Sequence, residues 1–174
     1  MEVKASLIST VNNEKKIEIL RKNWMSHEGR YQMAIVREFG WEKANNINKN
    51  VIYEMGKVMM YRLMNALGIS QVDNIDDFKE ICMTATEFYY PPPVFSIRLD
   101  RESDTSLLGS VEKCGTIKNV KRLGVLDQYE CGCLAMRSGW YKALGVEVKE
   151  ELLQCLKDGA DTCKIKLIVK GWNK

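Results

Sequence analysis

Three consecutive prolines at positions 91–93, within YYPPPVFSIRLD, divide the sequence into two differently patterned parts. Proline locks φ, lacks a backbone N–H and pushes the preceding residue towards extended geometry, so no helix continues through this tract. Before it, apolar residues recur at steps of three and four, which predicts helices. After it, short alternating runs predict strands mixed with helices. This order predicts an α+β fold in which an antiparallel sheet packs with helices behind an N-terminal helical layer.

Three helices are predicted before the prolines. The first begins after the polar pair Asn12 and Asn13, with a break expected at Gly29 and an end at Gly40. A second helix should follow over residues 42–67. Its predicted buried face comprises Ala44, Ile47, Val51, Met55, Val58, Met59 and Leu63. The third helix is capped by Asn74, and its predicted buried face comprises Ile75, Phe78, Ile81 and Ala85.

The second part predicts four strands and two helices. A strand over residues 94–100 pairs with TSLLGSVEK, and the stretches GTIKNVKRLG and ECGCLAMRSGWYKALG predict helices. The chain closes with a hairpin around KDGADT, because Asp-Gly tolerates turn geometry. In the last strand, Cys163 alternates with lysines, which places this cysteine on the buried face.

Length and charge limit the functional classes. A chain of 174 residues fits a single domain, 1–174, here made of the helical layer 1–70 and an α+β part 88–174. With 26 basic and 23 acidic residues the charges nearly cancel, so no nucleic-acid partner is expected. The sequence shows neither an apolar leader nor a run long enough to span a membrane, so we expect a cytoplasmic protein with reduced thiols.

Four of the six cysteines lie in the last part of the chain. Cys131 and Cys133 open a predicted helix, where backbone N–H groups favour thiolate. Cys155 and Cys163 flank the predicted hairpin turn, which brings them close together. This spacing leaves three interpretations open: buried free thiols, a metal site or a redox disulfide.

The tail ECGCLAMRSGWYKALG…EELLQCLKDGADTCKIKLIVKG resembles the 4-vinyl reductase domain. Cys155, Gly159 and Cys163 match that family's Cys-x3-Gly-x3-Cys hairpin residue for residue, and Cys131 is nearest its helix-head cysteine. Phenol-sensing relatives hold zinc with three such cysteines and a glutamate, but Leu152 stands at the glutamate position. The resemblance therefore implies a zinc site, with Cys133 taking the place of the fourth ligand. The same superfamily resemblance extends to trafficking subunits.

The N-terminal half is similar to an uncharacterised family that is loosely grouped with L-2-amino-thiazoline-4-carboxylate hydrolases. The matching residues are Trp24, Met25, Glu28, Gly29, Phe39, Gly40, Ala44, Asn48, Gly68 and Ile69. This resemblance implies an activity on a small cyclic substrate.

His27 is the only histidine and lies on an apolar stripe with Trp24 and Tyr31. One interpretation is a hydrogen-bonded core histidine. The other is an internal ligand-binding pocket formed by Trp24, His27, Glu28 and Tyr31. No Ser-His-Asp, P-loop or dinucleotide signature is present.

The function expected from the sequence is a zinc-containing domain that binds a small, partly apolar organic molecule as a sensor, carrier or accessory protein. One alternative is a hydrolase of a small cyclic amidine or amide, with His27 and Glu28 as an acid–base pair. The other alternative is a protein–protein interaction module. Homodimerisation is left open.

Overall fold

The computed structural model describes residues 7–172, which separate into two compact units with described parts 7–44 and 45–172. The boundary falls inside the predicted helical layer 1–70. That the whole chain forms one domain stays a prediction.

The first unit consists of helical segments. A short 3-10 helix, Leu7–Thr10, precedes helix α1, which the backbone assigns to Asn13–Leu67 with an interruption at Gly40. The interruption has φ 79° and ψ 170°, a conformation that favours glycine, so the helix end predicted there is confirmed. The N–H of Lys15 donates to Asn12 Oδ1 at 2.8 Å, which confirms the predicted cap. The helix runs straight through position 29, so the break predicted there is wrong.

The second unit is built around a four-stranded antiparallel sheet. Its strands are β1 (Phe95–Arg101), β2 (Ser106–Cys114), β3 (Val146–Gln154) and β4 (Cys163–Trp172), in the spatial order β1-β2-β4-β3. The predicted β1–β2 pair and the β3–β4 hairpin are both present. Helices α3 (Gly115–Arg122) and α4 (Cys133–Leu144) lie between β2 and β3 in the chain.

Helix α2 spans Ile75–Tyr89 and begins at the predicted cap. The backbone N–H groups of Asp76 and Asp77 donate to Asn74 Oδ1 at 3.0 and 2.9 Å. The four predicted core residues of this helix are buried, and Phe78 is fully enclosed. Alternate residues of β4, which are Ile165, Leu167 and Val169, are buried as well. The predicted α+β class is therefore confirmed.

Two glycines allow the second half of α1 to approach α4 closely. A Cβ on Gly139 would lie 2.3 Å from the carbonyl oxygen of Tyr53, and a Cβ on Gly56 would lie 2.3 Å from the carbonyl oxygen of Met136. Both distances are too short for a side chain and both involve backbone atoms, so only glycine fits at this crossing. The crossing fixes the position of α4 within the second unit.

Across residues 7–172, no helix combines the length and the apolar character that crossing a bilayer requires.

Candidate functional site

A cavity of about 80 Å³ lies in the second unit, between helices α2 and α4 and the sheet. Its walls come from five elements and are mainly apolar. The lining residues are Cys82, Met83, Thr86, Tyr90, Ile97, Arg98, Leu99, Gly109, Val111, Met136, Arg137, Trp140, Tyr141, Ile165 and Leu167. An apolar cavity with a few polar groups is the usual form of a small-molecule site.

One polar cluster reaches this cavity from α4. Arg137 donates to both carboxylate oxygens of Glu150, from Nε at 2.6 Å and from Nη2 at 2.7 Å. The hydroxyl of Tyr141 donates to the same carboxylate at 2.6 Å. The Arg137 and Glu150 side chains are only 19% and 6% exposed, so this is a buried, charge-balanced pair.

The remaining ionisable groups on the cavity wall are neutral or exposed. Burial raises the pKa of the Cys82 thiol to about 12, and it raises the pKa of Tyr141 well above its usual value. Arg98 is exposed and pairs with Asp100 at 2.8 Å. The interior of the cavity therefore carries no net charge at neutral pH.

A second cluster, of cysteines, lies where β2 and β3 end and β4 begins. The Cys163 thiol donates to Cys155 Sγ at 3.7 Å, and both cysteines are free. The N–H of Leu156 donates to Cys163 Sγ at 3.2 Å, and the N–H of Lys157 donates to Cys155 Sγ at 3.4 Å. The hairpin turn thus points backbone donors at two adjacent sulfurs.

The other two predicted cysteines lie at the start of α4, with Cys133 as its first residue and Cys131 two positions before it. The Cys131 thiol hydrogen-bonds to Cys133, which lowers the pKa of Cys133 and raises that of Cys131. The positive charge of Arg137 lowers the pKa of Cys133 further. The Cys133 side chain is exposed, whereas Cys131 is half-buried.

Cys114, which was not among the four predicted metal ligands, lies near this cluster. Burial raises the pKa of Cys114, and the nearby Cys133 and Cys155 raise it further. Cys114 is the last residue of β2, three positions beyond Val111, which pairs with Cys163. Strand register, which a sequence alone does not give, brings it to the same end of the sheet as the hairpin cysteines.

Within residues 7–172, no group of three or more His, Cys, Asp or Glu side chains is already placed to hold a metal ion. The Cys155–Cys163 pair nevertheless fits one edge of a tetrahedral site. Two thiolates that each lie about 2.3 Å from one zinc are about 3.8 Å apart, and the observed separation is 3.7 Å. The donor chemistry of the cluster therefore suits zinc. The zinc site itself stays a prediction.

The predicted pocket on the N-terminal helix is not internal. His27 and Glu28 are exposed, Tyr31 is 53% exposed and Trp24 is half-buried. The rings of His27 and Tyr31 stack at 6.0 Å with an angle of 8° between their planes. The expectation of an internal cavity is wrong for His27 and Tyr31, because both side chains are exposed. Whether they bind a ligand stays a prediction.

Sequence reasoning did not find the cavity residues of α4. Their signal is the stretch MRSGWY, in which Met136 and Trp140, and likewise Arg137 and Tyr141, are four apart and so share helix faces. The glycine between these residues, Gly139, lies at the close contact with α1, and it could have indicated this segment.

The fold and the cavity define an α+β domain in which helices and an antiparallel sheet enclose an apolar site. The chain belongs to the family described as L-2-amino-thiazoline-4-carboxylic acid hydrolase, which matches residues 25–167. The predicted resemblance to that family is therefore confirmed.

The structure is similar to a crystal structure of trafficking protein particle complex subunit 3 from Naegleria fowleri covalently bound to palmitic acid. The TM-score is 0.61 at 14% identity, with 93% of this chain and 99% of that chain covered. This likeness confirms the predicted fold type. No curated protein matches the chain.

Proposed function

We propose that the protein binds a small, partly apolar organic molecule in the cavity between α2, α4 and the sheet, and that it acts as a sensor, carrier or accessory protein. The observation that carries the proposal is the cavity itself, with its apolar walls and its charge-balanced polar cluster. The structurally similar trafficking subunit, which was crystallised with palmitic acid, supports this choice of ligand character.

The size of the cavity limits the ligand. Its volume is about 80 Å³, whereas an apolar cavity of about 150 Å³ admits benzene. A short alkyl chain or small ring fits best, and a longer chain would require Met83 and Met136 to move, which their flexible side chains allow. Cys82 is the only thiol among the lining residues, and its pKa, raised to about 12 by burial, makes it a weak nucleophile at neutral pH. We therefore expect non-covalent binding.

A pair of matched substitutions on β4 tests the proposal. Ile165 lines the cavity, whereas Ile168 lies on the opposite face of the same strand. Ile165→Phe should fill the cavity and Ile168→Phe should leave it unchanged. Organic extracts of the purified proteins, analysed by mass spectrometry, should contain a small molecule with wild type and Ile168→Phe that is lost with Ile165→Phe. If wild type and Ile165→Phe give the same extract, the cavity does not bind a ligand.

A structural zinc at the cysteine cluster is the second part of the proposal. Cys131, Cys133, Cys155 and Cys163 would hold it, and it would clamp the hairpin to the start of α4. The support is the separation of 3.7 Å between Cys155 and Cys163 together with the backbone N–H groups directed at both sulfurs. A closed thiolate site of this kind contributes its binding energy to folding.

Elemental analysis tests the zinc. Protein purified without chelator should contain about one zinc per chain. Cys163→Ser should lose most of it, and Cys82→Ser, which changes a thiol outside the cluster, should keep it. Chelation should lower the Tm of wild type towards that of Cys163→Ser. Well under half an equivalent of any transition metal in wild type would reject the site.

A hydrolase of a thiazoline carboxylate is the second candidate function, favoured by the description of the family. Its acid–base pair would be His27 and Glu28, which are both accessible to solvent. Hydrolysis of a thiazoline carboxylate by wild type but not by His27→Ala would support this candidate. If wild type shows no turnover, or if His27→Ala hydrolyses the substrate at the wild-type rate, this assignment fails.

A further inference from the structure

Trp140, a residue of the cavity wall, carries a buried hydrogen-bond donor that the described residues do not use. Trp140 lines the cavity and is only 3% exposed. Its Nε1–H is buried and finds no acceptor within the part of the chain that the structure describes. A buried indole N–H ordinarily has a partner, because leaving it unpaired after removal from water is unfavourable. A phenylalanine would fill similar space without this cost, so the donor calls for an acceptor from outside the chain.

The charges around the cavity determine what kind of acceptor fits. Arg137, the buried cation on the wall, is already held by both oxygens of Glu150, and Tyr141 donates to the same carboxylate. The pair is neutral as a whole. A ligand carboxylate beside it would add a buried negative charge with no free counter-charge and would face the carboxylate of Glu150.

The second cation on the cavity wall, Arg98, provides no free positive charge for a ligand carboxylate. Arg98 is exposed and pairs with Asp100 at 2.8 Å, and a second acidic residue, Glu112, lies 4.0 Å from its guanidinium. The wall therefore offers one buried, unused donor and no unused buried positive charge.

We propose that the cavity selects an uncharged ligand with one hydrogen-bond acceptor, such as a ketone, ester or amide carbonyl on a short apolar body, and that the indole Nε1–H of Trp140 donates to this acceptor. The inference rests on the proposed ligand-binding function and narrows it to a chemical class. Arg137 and Glu150 then exclude anionic analogues of the same ligand.

Three probes with the same number of carbons separate the contributions: methyl propyl ketone, pentane and pentanoate. Binding is followed in proton–nitrogen correlation spectra of nitrogen-15-labelled protein, in which loss of one indole signal in Trp140→Phe assigns the Trp140 resonance. The ketone should shift the indole N–H of Trp140 downfield and bind about fivefold more tightly than pentane, as one net hydrogen bond allows. Pentanoate should bind at least about tenfold more weakly than the ketone.

Trp140→Phe provides the control for the hydrogen bond. In this variant the ketone should bind no more tightly than pentane, while pentane itself still binds. If the variant does not fold, the wild-type indole shift and the order of the three affinities decide the question.

The possible outcomes distinguish the role of Trp140 from the ligand-binding function of the cavity. Equal binding of ketone and pentane, without an indole shift, overturns the role of Trp140 and leaves the cavity as a ligand site. Tighter binding of pentanoate than of the ketone overturns the selection for an uncharged ligand. If neither the ketone nor pentane perturbs any residue of the cavity wall, the proposed binding function fails and this inference fails with it.

Discussion

Replacing Gly139 by alanine should destabilise the protein, although alanine is the better helix former. The added Cβ would lie 2.3 Å from the carbonyl oxygen of Tyr53 and 3.0 Å from the backbone nitrogen of Lys57. Ordinary contacts between carbon and oxygen are about 3.3–3.6 Å. The helices α1 and α4 must therefore move apart by on the order of 1 Å, because backbone atoms cannot turn aside as a side chain can.

The magnitude follows from two opposing terms. Overpacking of a tight contact costs about 1–3 kcal/mol, and a clash with backbone belongs at the upper end. Replacing a helical glycine by alanine returns about 1 kcal/mol. The net loss should be about 2 kcal/mol, which corresponds to a decrease in Tm of about 4–8 °C for a chain of this length.

Gly29→Ala is the matched control. This glycine is also helical, but a Cβ at its position meets nothing within 4 Å. The substitution should therefore leave stability unchanged or raise it by up to about 1 kcal/mol. Urea unfolding followed by tryptophan fluorescence, together with thermal melts, measures both variants. If Gly139→Ala is as stable as wild type, the close crossing of α1 and α4 does not exist in solution.

Three further predictions follow from the buried polar groups. Glu150→Gln should cost about 3 kcal/mol in urea unfolding, because it leaves the buried Arg137 charge unbalanced; a loss no larger than that of the exposed Glu147→Gln would contradict this. In chelator-treated protein, iodoacetamide at about pH 8 should alkylate the exposed Cys133 well before the buried Cys82. Equal rates in peptide mass spectrometry would be inconsistent with the packing. Burial raises the pKa of Cys82 from 9.0 to about 12. The unfolded chain therefore loses the thiol proton at a lower pH than the folded chain, and the free energy of unfolding should fall as the pH rises from about 9 to about 12. Cys82→Ala should reduce this fall in thermal melts recorded over the same pH range.

Local signals in the sequence predicted the elements well. The cap at Asn74 and the spacing of its apolar residues gave α2, and the Asp-Gly turn gave the β3–β4 hairpin, because each depends on residues close in the chain. The same locality explains the Cys155–Cys163 contact, which needs only a closed hairpin.

The buried face of α1 was predicted less well. Leu63 is buried as expected, but Val51 and Val58 are 51% and 40% exposed. Apolar spacing identifies a stripe without saying which side meets the next layer. The contact with α4 is marked by Gly56, whose missing side chain permits the approach, and hydrophobicity gives a glycine no weight.

The cavity could not be predicted because it exists only after assembly. Its wall combines α2, β1, β2, α4 and β4, and its lining residues are spread from Cys82 to Leu167. The position of Cys114 near the other cysteines could not be predicted either, because it depends on the register of the strands and not on spacing in the sequence.

Helix α4 links the two clusters in the second unit. It begins at Cys133, and within two turns it presents Arg137 and Trp140 to the cavity wall. Arg137 belongs to both environments, because it lowers the pKa of Cys133 on one side and is held by Glu150 on the other. The position of this helix depends on the contact at Gly139, so a displacement there would move the cysteine, the ion pair and the indole together. The tight glycine crossing is therefore a requirement of the site as much as of the fold.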